Sequence, residues 1–208
     1  MTWITALEVT GTAVFAMSGV FTAQDRKLDW VGTLVVGFVT ALGGGTIRDV
    51  LIGRMPVAWM QNRSVILAVL VGYVLAYAFN RHIRGYRKSL FLFDTVGIGL
   101  FTVLGTQVAR DYGLNAEICL LLGVVSAVFG GVTRDVLTGT VPLIFRREIY
   151  ATACFAGGSV YLSLEAVSDL REVNMAVAMV TVFVIRFFAI RFGWSLGPKP
   201  EDASAQEG

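Results

Sequence analysis

Two stretches of this chain share one residue pattern: GGGTIRDVLIGRMP at residues 43–56 and FGGVTRDVLTGTVP at residues 129–142. Both contain consecutive glycines, an Arg-Asp pair and then one glycine and one proline at matching positions. The stretches are 86 residues apart, and the same offset, without a gap, also aligns Phe15 with Phe101 and Asp25 with Asp111. Two segments that shared only an apolar composition would not align at these polar, glycine and aromatic residues without a gap. The pattern therefore indicates an internal duplication.

The composition places this duplication in a membrane protein. Of 208 residues, 55% are hydrophobic and 15% are charged, and the mean hydropathy is +0.69. An average soluble domain has about 25% charged residues, so this chain has too little charge to cover a soluble surface. The net charge is only +2, and the basic residues are scattered between apolar runs, which argues against nucleic-acid binding. A cytosolic globular enzyme is therefore excluded.

Seven mostly apolar segments approach the roughly 20 residues that a transmembrane helix needs. They are residues 3–23, 30–52, 64–79, 90–109, 117–137, 149–164 and 173–190. Each copy of the duplication contains three segments, and an odd number forces the second copy to cross the membrane in the opposite direction. We predict an all-α integral membrane protein of seven transmembrane helices. Its parts are a first repeat at 3–80, an inverted second repeat at 89–165 and a seventh helix at 172–192, within one transmembrane domain at 1–196, followed by a disordered tail at 197–208.

The distribution of basic residues predicts the orientation. The loops on the side of the N-terminus contain four Lys or Arg residues, and the loops on the side of the C-terminus contain ten. Because cytoplasmic loops carry the excess of positive charge, we predict a multi-pass protein of the cell membrane with its N-terminus outside and its C-terminus in the cytoplasm.

The consecutive glycines predict a break or kink in two helices. Glycine in a helix interior costs about 1 kcal/mol relative to alanine. Gly43, Gly44 and Gly45 lie in the second span, and Gly130 and Gly131 lie at corresponding positions of the fifth span. Discontinuous helices at matching positions of two repeats are typical of an ion or substrate site. Close helix packing through small residues is the structural alternative.

Charged residues follow both groups of glycines. Arg48 and Asp49 follow the first group, and Arg134 and Asp135 follow the second. Ionisable side chains within a membrane normally face the bundle interior and pair with one another. Because the repeats are inverted, we expect the two pairs at opposite depths, as charged groups flanking a water-lined path. A structural ion pair that holds a loop is a compatible alternative. The hydroxyl groups closest to the glycines are those of Thr46 and Thr133.

Three other charged residues lie in the predicted spans. Glu8 and Asp94 occupy matching positions of the two repeats. We expect Asp94 to face the path and Glu8 to reach water at the end of its span. Arg186, about one turn from the end of the seventh helix, is expected to extend to the membrane surface. The sequence contains no Ser-His pair, HExxH motif or P-loop, so we predict no enzyme activity, no cofactor and no tightly bound metal.

The doubled Gly-Gly-x-x-Arg-Asp segments, each followed by Gly and Pro, resemble the glycine-rich repeats of the prokaryotic TRIC family, the trimeric intracellular cation channels. The resemblance extends from about Thr2 to Trp194. It implies a homotrimer in the lipid membrane, with one pore per protomer lined by kinked second and fifth helices. It also implies conduction of monovalent cations, with potassium as the main ion and sodium as the other candidate. The kinks would fall on Gly43, Gly44, Gly45, Gly130 and Gly131, with Arg48, Asp49, Arg134 and Asp135 beside the path.

The two copies differ at two positions of the motif. Phe129 takes the place of Gly43, and the threonine moves one place later, from Thr46 to Thr133. The lysine-bearing motif of the animal members is missing, so their regulation is not carried over.

Two other functions remain open at this point. Inverted repeats with broken helices serve secondary transporters of small solutes equally well. A non-conducting scaffold is the third reading, and the shortness of the loops argues against it.

Overall fold

The computed structural model describes residues 3–80, 86–146 and 149–194, and within them all regular structure is helical. The α-helices are α1 (Trp3–Asp25), α2 (Trp30–Leu51), α3 (Ala58–Gln61), α4 (Arg63–Asn80), α5 (Tyr86–Asp111), α6 (Ala116–Leu137), α7 (Ala151–Glu165) and α8 (Arg171–Arg191). A short 3-10 turn covers Leu143–Phe145. The predicted all-α class is confirmed. The predicted tail and His82 lie outside the described residues.

Five helices are long and apolar enough to cross a membrane: α1, α2, Phe91–Asp111 of α5, α6 and α8. The chain is therefore a multi-pass membrane protein. The other two predicted spans also coincide with helices, but both are shorter. The apolar part of α4 covers Arg63–Phe79. The 15 residues of α7 extend over about 22 Å, less than the thickness of a bilayer core.

The two repeats begin and end their second long helix in the same way. Asp29 caps α2 by accepting a hydrogen bond from the backbone N–H of Gly32 at 2.7 Å. Asn115, at the equivalent position, caps α6 by accepting from Ile118 at 3.3 Å. After each helix a glycine adopts a positive φ, 73° at Gly53 and 64° at Gly139, where a side chain would be strained. Local sequence therefore fixes the bounds of both helices.

Helices α2 and α6 cross in antiparallel orientation through their glycines. A side chain at Gly44 would overlap the carbonyl oxygen of Ser126, and a side chain at Gly130 would overlap that of Thr40. These two contacts are reciprocal, because Gly44 corresponds to Gly130 and Thr40 to Ser126 in the duplication. Backbone contacts backbone at this crossing, which only glycine allows.

The predicted helix breaks are wrong. Helical structure continues without interruption from Trp30 to Leu51 and from Ala116 to Leu137, through both groups of glycines. The cost of glycine in these helices is offset by the close approach of α2 and α6. The glycines are thus packing residues first, and bends at these positions stay a prediction.

The first helices of the two repeats pack in the same reciprocal way. The rings of Phe15 on α1 and Phe101 on α5, which are equivalent residues, stack with centroids 5.1 Å apart and planes 7° from parallel. The third helices keep this relation only in part. A side chain at Gly72 of α4 would overlap α1, and a side chain at the equivalent Gly158 of α7 would overlap Leu120 of α6 and lie 3.7 Å from Thr102 of α5. The neighbouring Gly157 faces Val182 of α8, a helix outside the repeats.

Candidate functional site

The Arg-Asp pair of the second repeat is completely enclosed. Arg134 is 0% exposed, and its Nη1 donates hydrogen bonds to Asp94 Oδ1 at 2.7 Å and to Ser18 Oγ at 2.6 Å. Its Nε donates to Asp135 Oδ1 at 2.9 Å. We call these four residues, Arg134, Asp94, Asp135 and Ser18, the buried cluster. It connects α6 to α5 and α1, and its two carboxylates neutralise the guanidinium group.

The Arg-Asp pair of the first repeat adjoins open space. Arg48 donates to Asp49 Oδ1 from Nη2 at 2.7 Å and from Nε at 2.9 Å. Its Nη1 is 3.5 Å from Ser126 Oγ, a long contact. A cavity of about 340 Å³ lies beside it, and we call it the open cavity because the exposed Tyr112 is at its rim. Its charged lining residues are Glu8, Arg48, Arg54 and Asp111, and its apolar wall includes Ile4, Phe101, Leu104 and Val108.

Both aspartates of the motif also hold the loop that follows their helix. Asp49 Oδ2 accepts a hydrogen bond from the backbone N–H of Ala58 at 2.8 Å, and Asp135 Oδ2 accepts from Leu143 at 3.0 Å. One carboxylate oxygen thus binds the arginine and the other binds the start of a short helical turn. The structural role that the sequence left open is therefore present at both sites.

The threonine hydroxyls are used within their own helices. Thr46 donates to the Leu42 carbonyl at 2.7 Å, and Thr133 donates to that of Phe129 at 2.8 Å. Thr46 also accepts from the indole N–H of Trp59 at 3.1 Å. Their role along a path stays a prediction.

The predicted glycines have different surroundings. Gly44 and Gly130 lie at the backbone crossing, and Gly43 faces Gly130. A Cβ at Gly45 would meet only Arg48 Nη2, at 3.8 Å. A Cβ at Gly131 would lie 2.9 Å from the hydroxyl of Tyr150 and 3.6 Å from Asp94 Oδ1. The glycines of one motif therefore serve two purposes, helix contact and space beside charged groups.

The expectation for Arg186 is wrong. Its side chain is 0% exposed and does not extend to the membrane surface. The guanidinium carbon lies 4.4 Å from the ring centroid of Phe91 and 4.8 Å from that of Tyr150. Nη1 donates to the Ile149 carbonyl at 3.2 Å. The reason is that α8 packs this face against α5 and α7, where aromatic faces stabilise the cation.

The sequence pointed to Ser18 as a hydroxyl that could line the path, with a hydrogen bond to its own helix as the alternative, and the structure shows it bound to Arg134. Sequence reasoning missed Tyr150 and Arg54 as members of these sites. Tyr150 immediately precedes α7, and a tyrosine at the edge of an apolar segment carries no specific signal. Arg54 lies 4.0 Å from Asp49, within the quoted motif, but its equivalent in the second copy is Thr140. The presence of arginine in one copy and threonine in the other was the sequence signal that could have identified Arg54.

The two Arg-Asp pairs lie on opposite sides of the α2–α6 crossing. The antiparallel contacts place Thr40 near Gly130 and Gly44 near Ser126, so Arg48 and Arg134 extend beyond the crossing in opposite directions. The two pairs therefore lie on opposite sides of the crossing, and their opposite depths in the membrane stay a prediction.

Comparisons with known proteins agree with this architecture. A family model described as "Glycine transporter" matches the chain twice, at residues 5–81 and 91–166. The UPF0126 inner membrane protein YadS of Escherichia coli K12 is 38% identical over 188 residues, which covers 89% of this chain and 91% of that protein.

Solved structures are similar over nearly the whole chain. A TRIC trimeric intracellular cation channel orthologue from Rhodobacter sphaeroides is 34% identical, with a TM-score of 0.88 and coverage of 93% of this chain and 100% of that one. A second structure, described as showing the basis for conductance through TRIC cation channels, is 31% identical with a TM-score of 0.84, covering 96% and 98%. The chain therefore belongs to the prokaryotic TRIC family, a family of membrane channels and not of enzymes.

Proposed function

We propose that this chain is a monovalent cation channel with potassium as its main permeant ion and one pore in each protomer of a homotrimer. The observation that carries the proposal is the pair of charged sites at the two ends of the α2–α6 crossing, one of which adjoins a cavity of about 340 Å³. The solved relatives at 34% and 31% identity are described as TRIC cation channels, which supports the same function.

The proposed path follows α2 and α6. It enters through the open cavity, passes Arg48 and the glycines at the crossing, and reaches the buried cluster at the other end. The absence of side chains at Gly45 and Gly131 leaves room beside the charged groups. Thr46 on α2 and Thr133 on α6 provide the hydroxyl groups in the weakly polar part of this path.

The positive charge of an arginine beside a cation path would repel the permeating ion, so it must be neutralised by a nearby carboxylate. In the buried cluster, Arg134 forms ion pairs with both Asp94 and Asp135. In the open cavity, Glu8 and Asp111 balance Arg48 and Arg54, and Asp49 adds a further negative charge next to Arg48. A potassium ion would therefore meet an electrostatic environment that is neutral or negative.

The membrane arrangement is part of the proposal. Seven helices cross or enter the bilayer, in two inverted repeats with α8 outside them, and the N-terminus lies outside the cell. The reciprocal contacts of α2 with α6 and of Phe15 with Phe101 support a two-fold relation between the repeats.

Single-channel recording of the purified protein in planar bilayers under a potassium chloride gradient tests the function. We expect discrete openings with a reversal potential near that of potassium. The exposed Glu117→Gln should conduct normally and is the control for charge removal away from the path. Silent bilayers from folded protein would contradict the channel.

Transport of a small solute is the second candidate. The family model carries the description "Glycine transporter", and the open cavity offers two cationic and two anionic side chains, which suit a zwitterion. Saturable uptake of labelled glycine into liposomes, in the absence of single-channel current, would favour this function over conduction.

A further inference from the structure

The wall of the open cavity has a charged side and an apolar side. Glu8 lies on α1, and Arg54 lies in the loop that follows α2. Leu104 and Val108 of α5 are four residues apart, so both side chains extend from one face of that helix. The cavity therefore presents an anion, a cation and an apolar surface, each contributed by a different part of the chain.

Two of the four charged side chains at the cavity are already paired. Arg48 donates two hydrogen bonds to Asp49 Oδ1, and Asp111 pairs with an arginine of α8 at 3.1 Å. Glu8 takes part in no ion pair among the described residues. The side chain of Arg54 is 36% exposed and reaches only Asp49 Oδ1, at 4.0 Å, an oxygen that Arg48 already occupies. One anion and one cation are therefore available to a ligand.

These two side chains select a ligand by its charges. A lone anion or a lone cation pairs with one of them and leaves the other without a partner. A tightly bound metal is disfavoured, because the described part of the chain contains no group of three or more His, Cys, Asp or Glu residues that could hold one. A zwitterion can place an ammonium group on Glu8 and a carboxylate on Arg54, whose guanidinium group can donate two parallel hydrogen bonds.

The apolar side of the cavity determines the size of that zwitterion. The cavity volume of about 340 Å³ is at the lower end of small-molecule sites, which measure roughly 300–1,000 Å³. Glycine has no side chain, so it would leave Leu104 and Val108 in contact with water. An α-amino acid with an aliphatic side chain covers this surface, and the burial of apolar area stabilises the complex. The cavity is therefore better matched to leucine than to glycine.

The described residues of the second repeat do not form an equivalent site. Asp94, at the position of Glu8, is paired with Arg134 at 2.7 Å. Thr140 replaces the available cation, and Ser18 replaces an apolar residue of the wall. The features that suit a zwitterion are therefore combined in the first repeat, at the entrance of the proposed path.

We infer that the open cavity binds a zwitterion with an apolar substituent, an α-amino acid about the size of leucine, and that this ligand blocks the entry of cations. Its ammonium group contacts Glu8, its carboxylate contacts Arg54, and its side chain packs against Leu104 and Val108. The block rests on the proposed function, because the cavity is the entrance of the proposed path. Binding itself requires only the cavity, and it narrows the second candidate function to a solute larger than glycine.

Equilibrium dialysis of radiolabelled leucine against the purified full chain in detergent tests the binding, with unlabelled compounds as competitors. We expect leucine to bind at least about tenfold more tightly than glycine, because its side chain is buried against the apolar wall. N-acetylleucine lacks the ammonium group and isoamylamine lacks the carboxylate, so each should bind at least about tenfold more weakly than leucine. Undetectable leucine binding, or equal binding of leucine and glycine, overturns the inference.

Variants of the two charged residues test the orientation of the ligand. Glu8→Gln should weaken leucine binding about tenfold and leave that of N-acetylleucine unchanged, because only leucine has an ammonium group. Arg54→Gln should weaken leucine binding and leave that of isoamylamine unchanged. Glu117→Gln and Arg63→Gln replace exposed residues outside the cavity lining and are the controls. Equal effects of Glu8→Gln on leucine and N-acetylleucine overturn the assigned contact, and if Glu8→Gln does not fold, Arg54→Gln decides.

The apolar contact has its own variant. Val108→Thr places a hydroxyl group in the apolar wall at nearly the same side-chain volume. It should lower the preference for leucine over glycine about threefold, because the hydroxyl is poorly compensated against an aliphatic side chain. An unchanged preference overturns the placement of the ligand side chain.

A zwitterionic phospholipid carries the same three groups, an ammonium group, an anionic group and an apolar chain. Dihexanoylphosphatidylethanolamine is therefore added as a competitor, with dihexanoylphosphatidylglycerol, which lacks the ammonium group, as its control. Equal and weak displacement of leucine by both lipids supports a free amino acid. Displacement by the ethanolamine lipid alone, lost in Glu8→Gln, assigns the site to a lipid headgroup and overturns the amino acid as its occupant.

Single-channel recording separates the block from the channel itself. A conducting parent should lose about half of its mean current at a leucine concentration equal to the dissociation constant, and Glu8→Gln should keep its current there. A conducting parent that binds leucine with unchanged current overturns the block. A conducting parent that does not bind leucine removes the binding site and leaves the channel. A silent parent that binds leucine removes the channel and leaves the binding site.

Discussion

The two Arg-Asp sites arise from one duplicated motif, and both arginines are buried, Arg134 at 0% and Arg48 at 4% exposed, yet Arg48 lines a cavity of about 340 Å³ and Arg134 does not. The shared residues give both sites the same internal ion pair and the same tethered loop. The difference comes from positions at which the two copies do not match: Ser18 against Leu104, Thr140 against Arg54, and the presence of Arg186 at one end only. A motif therefore fixes local geometry, and its neighbours decide whether the site is sealed.

The largest effect on stability is expected from a substitution that disrupts the buried cluster. Asp94→Asn keeps the shape of the side chain but leaves Arg134 with one carboxylate fewer in a fully buried position. Breaking a buried pair costs about 3–5 kcal/mol. Thermal unfolding in detergent should show a large decrease in Tm. Glu8→Gln, at the equivalent position, should decrease it much less because Glu8 has no ion pair among the described residues. Similar decreases in Tm for both variants would show that Asp94 and Glu8 contribute equally to stability and would contradict this prediction.

The next largest effect concerns the crossing that separates the two sites. In Gly44→Ala the new methyl group would overlap the Ser126 carbonyl oxygen, so α2 and α6 must move apart. Such overpacking costs about 1–3 kcal/mol. Gly45→Ala is the matched control, since its Cβ would contact only Arg48, at 3.8 Å. We expect Gly44→Ala to lower the Tm and Gly45→Ala to keep or raise it. Equal Tm values would show that the crossing is not tightly packed.

A smaller effect on stability is expected from removing the serine that contacts each arginine, and it compares the hydrogen bonding of Arg134 with that of Arg48. Ser18→Ala removes the acceptor that receives a 2.6 Å hydrogen bond from Arg134, at an expected cost of about 1–2 kcal/mol. Ser126→Ala removes the 3.5 Å contact with Arg48 and should cost less. The same unfolding assay compares the two variants. A larger effect from Ser126→Ala would mean that the open site depends on its serine more than the sealed one.

The smallest effect on stability is expected at the mouth of the open cavity. Asp111 pairs with Arg171 at 3.1 Å, but their side chains are 54% and 45% exposed, so Asp111→Asn should change stability by less than about 0.5 kcal/mol. Its current should nevertheless fall at low potassium, because one negative charge leaves the cavity wall, and the difference should shrink at about 1 M salt, where screening is strong.

Glu165→Gln provides the control for that measurement. Glu165 pairs with Arg110 at 2.8 Å and does not belong to the cavity lining. An equal, salt-independent loss of current in both variants would contradict an electrostatic role for Asp111.

The helices were predictable because their signals are local. Apolar length, the caps at Asp29 and Asn115 and the glycines after each helix lie within a few residues of the bounds that they set. The short α3 and the 3-10 turn at Leu143–Phe145 were placed in loops, because their order depends on the carboxylates of Asp49 and Asp135. The continuous helices through the glycines were missed for a related reason. The cost of glycine is local, whereas the compensating contact comes from a helix 86 residues away in the duplication.

The sequence by itself determined the membrane class, the duplication, the helices and the residue pairs Arg48–Asp49 and Arg134–Asp135. These features are contained in composition, periodicity and adjacency along the chain. Only the tertiary structure decided that Asp94 and Ser18 seal Arg134, that Arg186 is buried against Phe91 and Tyr150, and that Glu8 faces an open cavity. Those relations join separate helices, and the burial of a charged side chain depends on the packing around it rather than on its neighbours in sequence.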